Sequence, residues 1–456
     1  MTMPPLPARA ATSDTSVPRS MRRGRLRAAL AATLFCASAV AWAQSLSPAA
    51  PESVGMSSER LARIGTVLRE DIAAGKLPGA VVMVARRGKL VYSEAFGVRD
   101  PATGAAMTTD SVFRIYSMTK PLVSVAAMML VEDGRMQLTD PVSKFLPAYK
   151  PAAVSVAHTD AEFARITYST ASPLREATVQ DLLRHTAGLA YGEITQNAPV
   201  KKALEEAGIY KTAIDYDARD LAPDEQVARL AKVPLAHQPG TVWEYSLASD
   251  LLGRVVEKAS GMRLGDFLAA RLFGPLRMVD TGFSVPAAAL PRLAGPFEKD
   301  PTTGQPVRLV DVTQPPAADS GGAGGVSTAR DYLRFAQMLL GGGRLDGTRV
   351  LSRTTVALMA SDHLGTRISV PVTPGELLLG TPGFTFGLGF AVRQGQGVAG
   401  VHGSAGEFMW GGYAGTYFWV DPKEELVAVY FTQMAGPIRQ YYRRLVKNLV
   451  YQSIVD

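Results

Sequence analysis

The chain has 456 residues, enough to bury a large core and to form one or two domains. Its composition is that of an ordinary globular protein, which excludes fibrous, low-complexity and disordered classes. The formal net charge of +7 does not point to nucleic acid: residues 1–43 carry Arg9, Arg19, Arg22, Arg23, Arg25 and Arg27 against Asp14, and removing that +5 leaves about +2.

Those first 43 residues read as an export signal. Residues 22–27 are a basic n-region and residues 28–40 an apolar h-region too short to span a bilayer. Ala41-Trp42-Ala43 is an A-x-A cleavage site, so the mature chain is expected to start at Gln44, secreted and, in a bacterium with two membranes, periplasmic. Residues 1–20 read as an unstructured extension before Met21. The Arg22-Arg23 pair also permits twin-arginine export, and the route stays open. The single cysteine, Cys36, falls inside the signal, so the mature chain is expected to have no disulfide, thiol nucleophile or thiolate metal site. No later segment reads as a membrane anchor.

Residues 44–55 form a Pro/Ser/Ala linker, and Ser57 opens an amphipathic helix to about Gly75 with Leu61, Ile64, Val67 and Leu68 on one face. Residues 79–97 predict a hairpin turning at Arg87-Gly88. A short strand at 113–115 leads into Ser117-Met118-Thr119-Lys120-Pro121 and an apolar run ending at Glu132-Asp133-Gly134. Proline lacks an N–H and is tolerated in a first helical turn, so the helix should begin between Ser117 and Lys120. Ser117 then sits at the positive helix end. Lys120, at i+3, shares its face and can reach its hydroxyl. A desolvated lysine there can accept the serine proton, or as a cation stabilise the alkoxide.

From about 150 to 310 the pattern turns mainly helical. Thr178 caps a helix expected to reach Gly188, and another runs from Ser246 to Gly261. Tyr245 precedes that helix on a loop after Pro239-Gly240. A neighbouring cationic lysine would favour its ionised form, a general base for Ser117 and then an acid for the leaving group. His185 reads as a hydrogen-bonding core residue, and the five histidines show no metal spacing. Gly321-Gly322-Ala323-Gly324-Gly325 lacks the Gly-Lys-Ser/Thr of a P-loop and reads as a tight turn. A capped amphipathic helix follows from Ser327.

Strands are expected again at 384–392, 397–402, 414–420 and 425–432, before a last helix at 438–454. Between them, Trp410-Gly411-Gly412-Tyr413 places paired glycines on a strand, which often marks close approach by another backbone or a ligand. A backbone N–H there, with that of Ser117, would make an oxyanion hole. His402-Gly403-Ser404-Ala405-Gly406 approaches the G-x-S-x-G elbow, but both its flanks read as strands rather than strand and helix.

Ser117-x-x-Lys120, then Tyr245-Ser246, then a glycine-rich strand near Trp410, is an order that resembles the serine β-lactamase and penicillin-binding-protein superfamily, in its class C β-lactamase-like branch. Residues 181–189, 239–246 and 325–331 support the likeness, which covers about residues 50–450. It implies an α+β fold: an antiparallel sheet flanked by helices, built from chain segments 44–150 and 311–456, with 151–310 inserted as a mainly helical domain. Two departures stand out. Leu247 occupies the place of the Asn in Tyr-x-Asn, and Trp410-Gly411-Gly412 replaces Lys-Thr-Gly. Both are similar to the family VIII carboxylesterases. The resemblance implies Ser117 as acylated nucleophile, Lys120 and Tyr245 as proton carriers, the amides of Ser117 and Tyr413 as oxyanion hole, and Trp410, Gly411, Gly412 and Leu247 along the substrate pocket. His402-Gly403-Ser404 is a rival place for the third motif. No cofactor or metal is implied.

The expected function is a secreted serine hydrolase of short-chain carboxylic esters. A class C-like β-lactamase or D-amino-acid peptidase is the alternative, and an inactive binding protein on the same fold the third class. The implied partner is a small ester, or else a β-lactam or D-peptide.

Overall fold

The computed structural model describes residue 2 and residues 46–456 other than 152, 161, 163, 164 and 211–219. The expected export signal lies outside the described residues. Gly79–Arg86 and Lys89–Asp100 form the hairpin, joined by Arg87 (φ 51°) and Gly88 (φ 72°), the paired positive angles of a two-residue hairpin turn. All eight residues of the first strand are buried, because the strand from the far end of the chain, Leu426–Phe431, pairs antiparallel along its other edge. The order continues through Tyr417–Asp421, Phe408–Gly411, Ala391–Arg393 and Phe384–Phe386, and on the hairpin side to Ser47–Pro48. With Ala105–Ala106 this makes a nine-stranded sheet among the described residues, antiparallel except at Ser47–Pro48.

Side chains alternate across a strand, and helices cover both faces accordingly. Phe418 packs against Tyr332 and Phe335 of the helix Ala329–Leu340. Its neighbours Tyr417 and Trp419 meet Arg443 and Tyr451 of the last helix, Ile438–Tyr451. The helix Ser58–Ala73, capped by Ser57, lies beside that last helix. Ser45–Asp456 is one compact unit.

The Ser117 helix is apolar all round and buried along nearly its whole length, as expected for a helix enclosed by others. It begins as a single turn, Tyr116–Met118, and continues as Thr119–Glu132 with Pro121 in its first turn. The strand Val112–Arg114, paired with Val326–Thr328, delivers it beside the 321–325 glycine loop.

Three elements differ from expectation. Residues 384–392 are not one strand but the start of a hairpin, bent at Gly389 (φ 92°) with Phe384 facing Arg393. Gly387 permits the bend, since a Cβ there would lie 2.1 Å from the Met359 carbonyl. Residues 397–402 form a loop rather than a strand. Buried Arg393 donates to the carbonyls of Gly395, Gln396, Val401 and His402, so this backbone finds partners without a ladder. The helix capped by Thr178 stops at Leu183, because His185 adopts φ 56° and turns the chain inward. Among the described residues between 151 and 310, the helices are accompanied by the hairpin of Val154–Asp160 with Arg165–Ala171.

Candidate active site

Tyr116 holds φ 44°, a left-handed value uncommon outside glycine, and so presents Ser117 at the turn before the helix. Three contacts hold the turn in place. Thr119 Oγ1 donates to the Tyr116 carbonyl at 2.6 Å, the Val310 amide donates to the Tyr116 hydroxyl at 2.9 Å, and the Tyr332 hydroxyl donates to the Met118 carbonyl at 2.7 Å.

Ser117 Oγ lies 3.3 Å from Lys120 Nζ and accepts a 2.6 Å hydrogen bond from the Tyr245 hydroxyl. Lys120 is buried, and its other hydrogen bonds among the described residues are to the Tyr191 hydroxyl at 3.0 Å and the Gly322 carbonyl at 2.8 Å. Burial pushes its pKa down to about 7, against the opposing pull of Asp250 and Glu193. A neutral amine has two donors and one lone pair. Lys120 Nζ donates to the Tyr191 hydroxyl, the Gly322 carbonyl and Ser117 Oγ, and loss of one proton leaves its lone pair within reach of the serine.

Tyr245 packs against His185, Tyr191 and Trp410, with ring centroids 5.1, 5.3 and 5.4 Å away. Burial raises its pKa above the ordinary tyrosine value, against the hydrogen bond to Ser117. Burial thus works against the expected tyrosinate, and Lys120 lies over the ring with its Nζ 4.6 Å from the centroid. His185 is the core residue expected, 3.1 Å from Ser246 Oγ, with its pKa held well below normal by burial and by Lys120.

Gly411 and Gly412 do mark a close approach. A Cβ on Gly412 would lie 2.3 Å from the Ile115 carbonyl, two residues before Ser117, and one on Gly411 would strike the Arg443 guanidinium. Trp410 is fully buried behind Tyr245, and Leu247 is buried at the start of the helix Ala248–Ser260. Neither faces open space, which corrects their placement along a pocket wall. Among the described residues the Trp410 indole N–H has no hydrogen-bond partner. Tyr413 is partly exposed, its ring 5.5 Å from that of Tyr116. The rival His402-Gly403-Ser404 belongs elsewhere: Gly403 packs on Glu407 and Arg393, and the Ser404 amide donates to buried Asp421.

Sequence reasoning missed Tyr191, Asp250 and Gly322. Asp250 Oδ1 accepts from Ser320 Oγ at 2.6 Å and from the Gly322 amide at 3.1 Å, and the Gly322 carbonyl then faces Lys120. The 321–325 loop needs glycines for this, since a Cβ on Gly322 would lie 2.2 Å from Asp250. The available signal was its glycine density beside a buried acid in the first turn after Tyr245. A cavity of about 580 Å3 opens on the Tyr245 side, with Val156, Ile166, Ile194, Trp243 and Val372 among its apolar walls. Among the described residues no group of three or more acidic, histidine or cysteine side chains is placed to hold a metal, and no helix is long and apolar enough to cross a membrane.

The fold and this grouping of serine, lysine and tyrosine agree with a match of residues 64–450 to the Beta-lactamase family model. The chain belongs to that family and is a serine hydrolase of its fold. Protein Rv1367c of Mycobacterium tuberculosis is 37% identical over 377 residues, covering 80% of this chain and 88% of that protein. Esterase EstB of Burkholderia gladioli is 32% identical over 402 residues, covering 83% of this chain and 92% of its own. Among solved structures, EstCE1, described as a hydrolase with promiscuous acyltransferase activity, superposes with a TM-score of 0.72 at 28% identity. That match covers 86% of this chain and 99% of EstCE1.

Proposed function

We propose that this protein is an exported serine esterase that cleaves short-chain, uncharged carboxylic esters through an acyl-enzyme on Ser117. The observation that carries the reading is the placement of Ser117 Oγ between Lys120 Nζ and the Tyr245 hydroxyl, with the lysine poised at about pH 7. Neutral Lys120 takes the Ser117 proton as Oγ bonds to the ester carbonyl carbon. The tetrahedral oxyanion is held by the amides of Ser117 and Tyr413. As the C–O bond breaks, Tyr245 gives its proton to the leaving alkoxide and is reprotonated from Lys120. Water then attacks the acyl carbon, passes a proton to Lys120, and Ser117 leaves with a proton returned through Tyr245. The cavity beside Tyr245 accepts the alcohol portion, and residues 151–310 act as the insertion that shapes it. The name of Esterase EstB and the buried Trp410 in place of a cationic third motif both favour an ester over a β-lactam. The basic and apolar segment ending at Ala43 supports export to the periplasm.

One observation favours the second reading, a β-lactamase or D-amino-acid peptidase. Arg439 lies 5.0 Å over the Tyr413 ring and its charge is felt at Tyr245, a cation suited to a substrate carboxylate. The test is turnover of p-nitrophenyl butyrate and of a chromogenic cephalosporin by the chain from Gln44, with Ser117→Ala as control. Ester cleavage that is lost in the alanine variant, with slow or no lactam cleavage, supports the esterase. A lactam preference overturns it, as does ester turnover that survives in Ser117→Ala.

A further inference from the structure

Arg443 sits on the last helix, where the sequence marks only an amphipathic closing segment. Its side chain is fully buried, and it has no carboxylate partner among the described residues. A buried cation without a counter-charge is costly, and burial with the nearby charge of Arg439 lowers its pKa to about 9. A helix that only needed to cover the sheet would carry an apolar residue here.

The guanidinium instead meets backbone oxygens. Nη2 donates to the Gly412 carbonyl at 2.5 Å and to that of Thr416 at 3.4 Å, while Nη1 donates to the Leu378 carbonyl at 3.1 Å. The absent side chain at Gly411 makes room for this, since a Cβ would lie 2.8 Å from the guanidinium carbon. The Gly412 carbonyl belongs to the same peptide group as the Tyr413 amide. That group is planar, with C=O and N–H pointing in opposite directions. A cation bonded to the oxygen therefore fixes where the N–H points and draws electron density from the nitrogen, strengthening it as a donor. A Cβ on Gly412 would meanwhile lie 2.3 Å from the Ile115 carbonyl, two residues before Ser117.

We propose that Arg443 is a positioning residue for the oxyanion hole, holding and polarising the Gly412–Tyr413 peptide so that the Tyr413 amide meets the charge that develops when Ser117 is acylated. The inference rests on the reading of Ser117 as nucleophile and the Tyr413 amide as oxyanion donor. An ester carbonyl in the ground state carries little charge and the tetrahedral oxyanion a full one. Arg443 therefore acts on the chemical step and not on substrate affinity.

The test compares Arg443→Met, Arg443→Lys and Gly411→Ala, the last of which displaces the guanidinium and keeps its charge. The readouts are single-turnover acylation of Ser117 by p-nitrophenyl butyrate, KM, and inhibition by an aryl trifluoromethyl ketone, which forms a charged adduct on the serine. Arg443→Met should slow acylation about 10²–10³-fold, with KM changed by less than about twofold and the ketone weakened by the same factor as the rate. Arg443→Lys should fall between it and the wild type, and Gly411→Ala should follow Arg443→Met. If Arg443→Met does not melt as a folded protein, the other two variants decide. Acylation within about threefold of wild type in a folded variant overturns the inference. So does slow acylation with ketone affinity unchanged. A wild-type chain that is never acylated on Ser117 overturns the functional reading itself, which is a separate outcome.

Discussion

Lys120 lies over the face of Tyr245, its Nζ 4.6 Å from the ring centroid, while the Tyr245 hydroxyl reaches Ser117 Oγ at 2.6 Å. The negative ring face attracts a lysine cation. Burial acts on both groups in the same sense and suppresses both charges. Burial therefore favours a neutral amine beside a neutral phenol.

Activity should follow the lysine. Its pKa is lowered to about 7, so the base form is scarce below that pH and predominates above it. A profile of kcat/KM against pH is expected to rise with a single acid limb near 7 and then level. Lys120→Arg, which stays cationic, should lose activity about 10³-fold or more at every pH tested. A limb near 10 would instead assign the titration to a tyrosine.

Asp250 offers a finer check. Its carboxylate opposes the lowering of the Lys120 pKa. Asp250→Asn keeps an oxygen for Ser320 and Gly322 but removes the charge, so the acid limb should move to lower pH, by up to about one unit. A limb that stays put or moves up in the folded variant removes Asp250 from the electrostatics of the site.

Burying Lys120 also acts on stability. Its folded pKa, about 7, is below the unfolded value near 10.5, so the unfolded chain binds more protons between them. Stability should rise with pH across that window, and the cost should be fully present below 7. Lys120→Met should abolish activity and raise the melting temperature more at pH 6 than at pH 9. The gain at pH 6 is of order 2–4 kcal/mol after the lost contacts to Tyr191 and Gly322 are counted. Thermal melts at the two pH values check the sign.

Tyr245→Phe keeps the ring contacts with His185, Tyr191 and Trp410 and removes only the hydroxyl. It should cost about 10²–10⁴ in kcat with little change in melting temperature. Retained turnover would leave Lys120 as the sole proton carrier.

Glu407 tests the region that looked like a rival motif. Its carboxylate is buried beside Lys447 at 2.9 Å, the Tyr451 hydroxyl at 3.1 Å and Arg393 at 3.5 Å. Glu407→Gln leaves two buried cations short of an anion and should destabilise the fold by about 3–5 kcal/mol. Activity per folded molecule should not change, as read by denaturant melts and active-site titration.

Local rules singled out Ser117, Lys120 and Tyr245 as candidates and marked Gly411 and Gly412, and the order of the motifs, through the family resemblance, gave the candidates their expected roles. Proline fixes the first turn of a helix, i and i+3 share its face, and paired glycines in a strand signal contact. Each rule acts within a few residues, so it survives without knowledge of the fold. Even the hairpin at 79–97 and the caps at Ser57 and Thr178 were legible on this basis. The strand expected at 397–402 failed because Arg393, held in the sheet, supplies the hydrogen bonds that a ladder would have given.

What the tertiary structure decided is the chemistry of those residues. Lys120 meets Tyr191 from 71 positions away and Gly322 from 202. Arg443 reaches Gly412 across 31. A pKa near 7, a neutral phenol and a pinned peptide depend on which distant segments exclude water from one another. The sequence alone singled out the candidate residues, because bonding geometry is local. Only the packed chain set their protonation, because desolvation is a property of the whole fold.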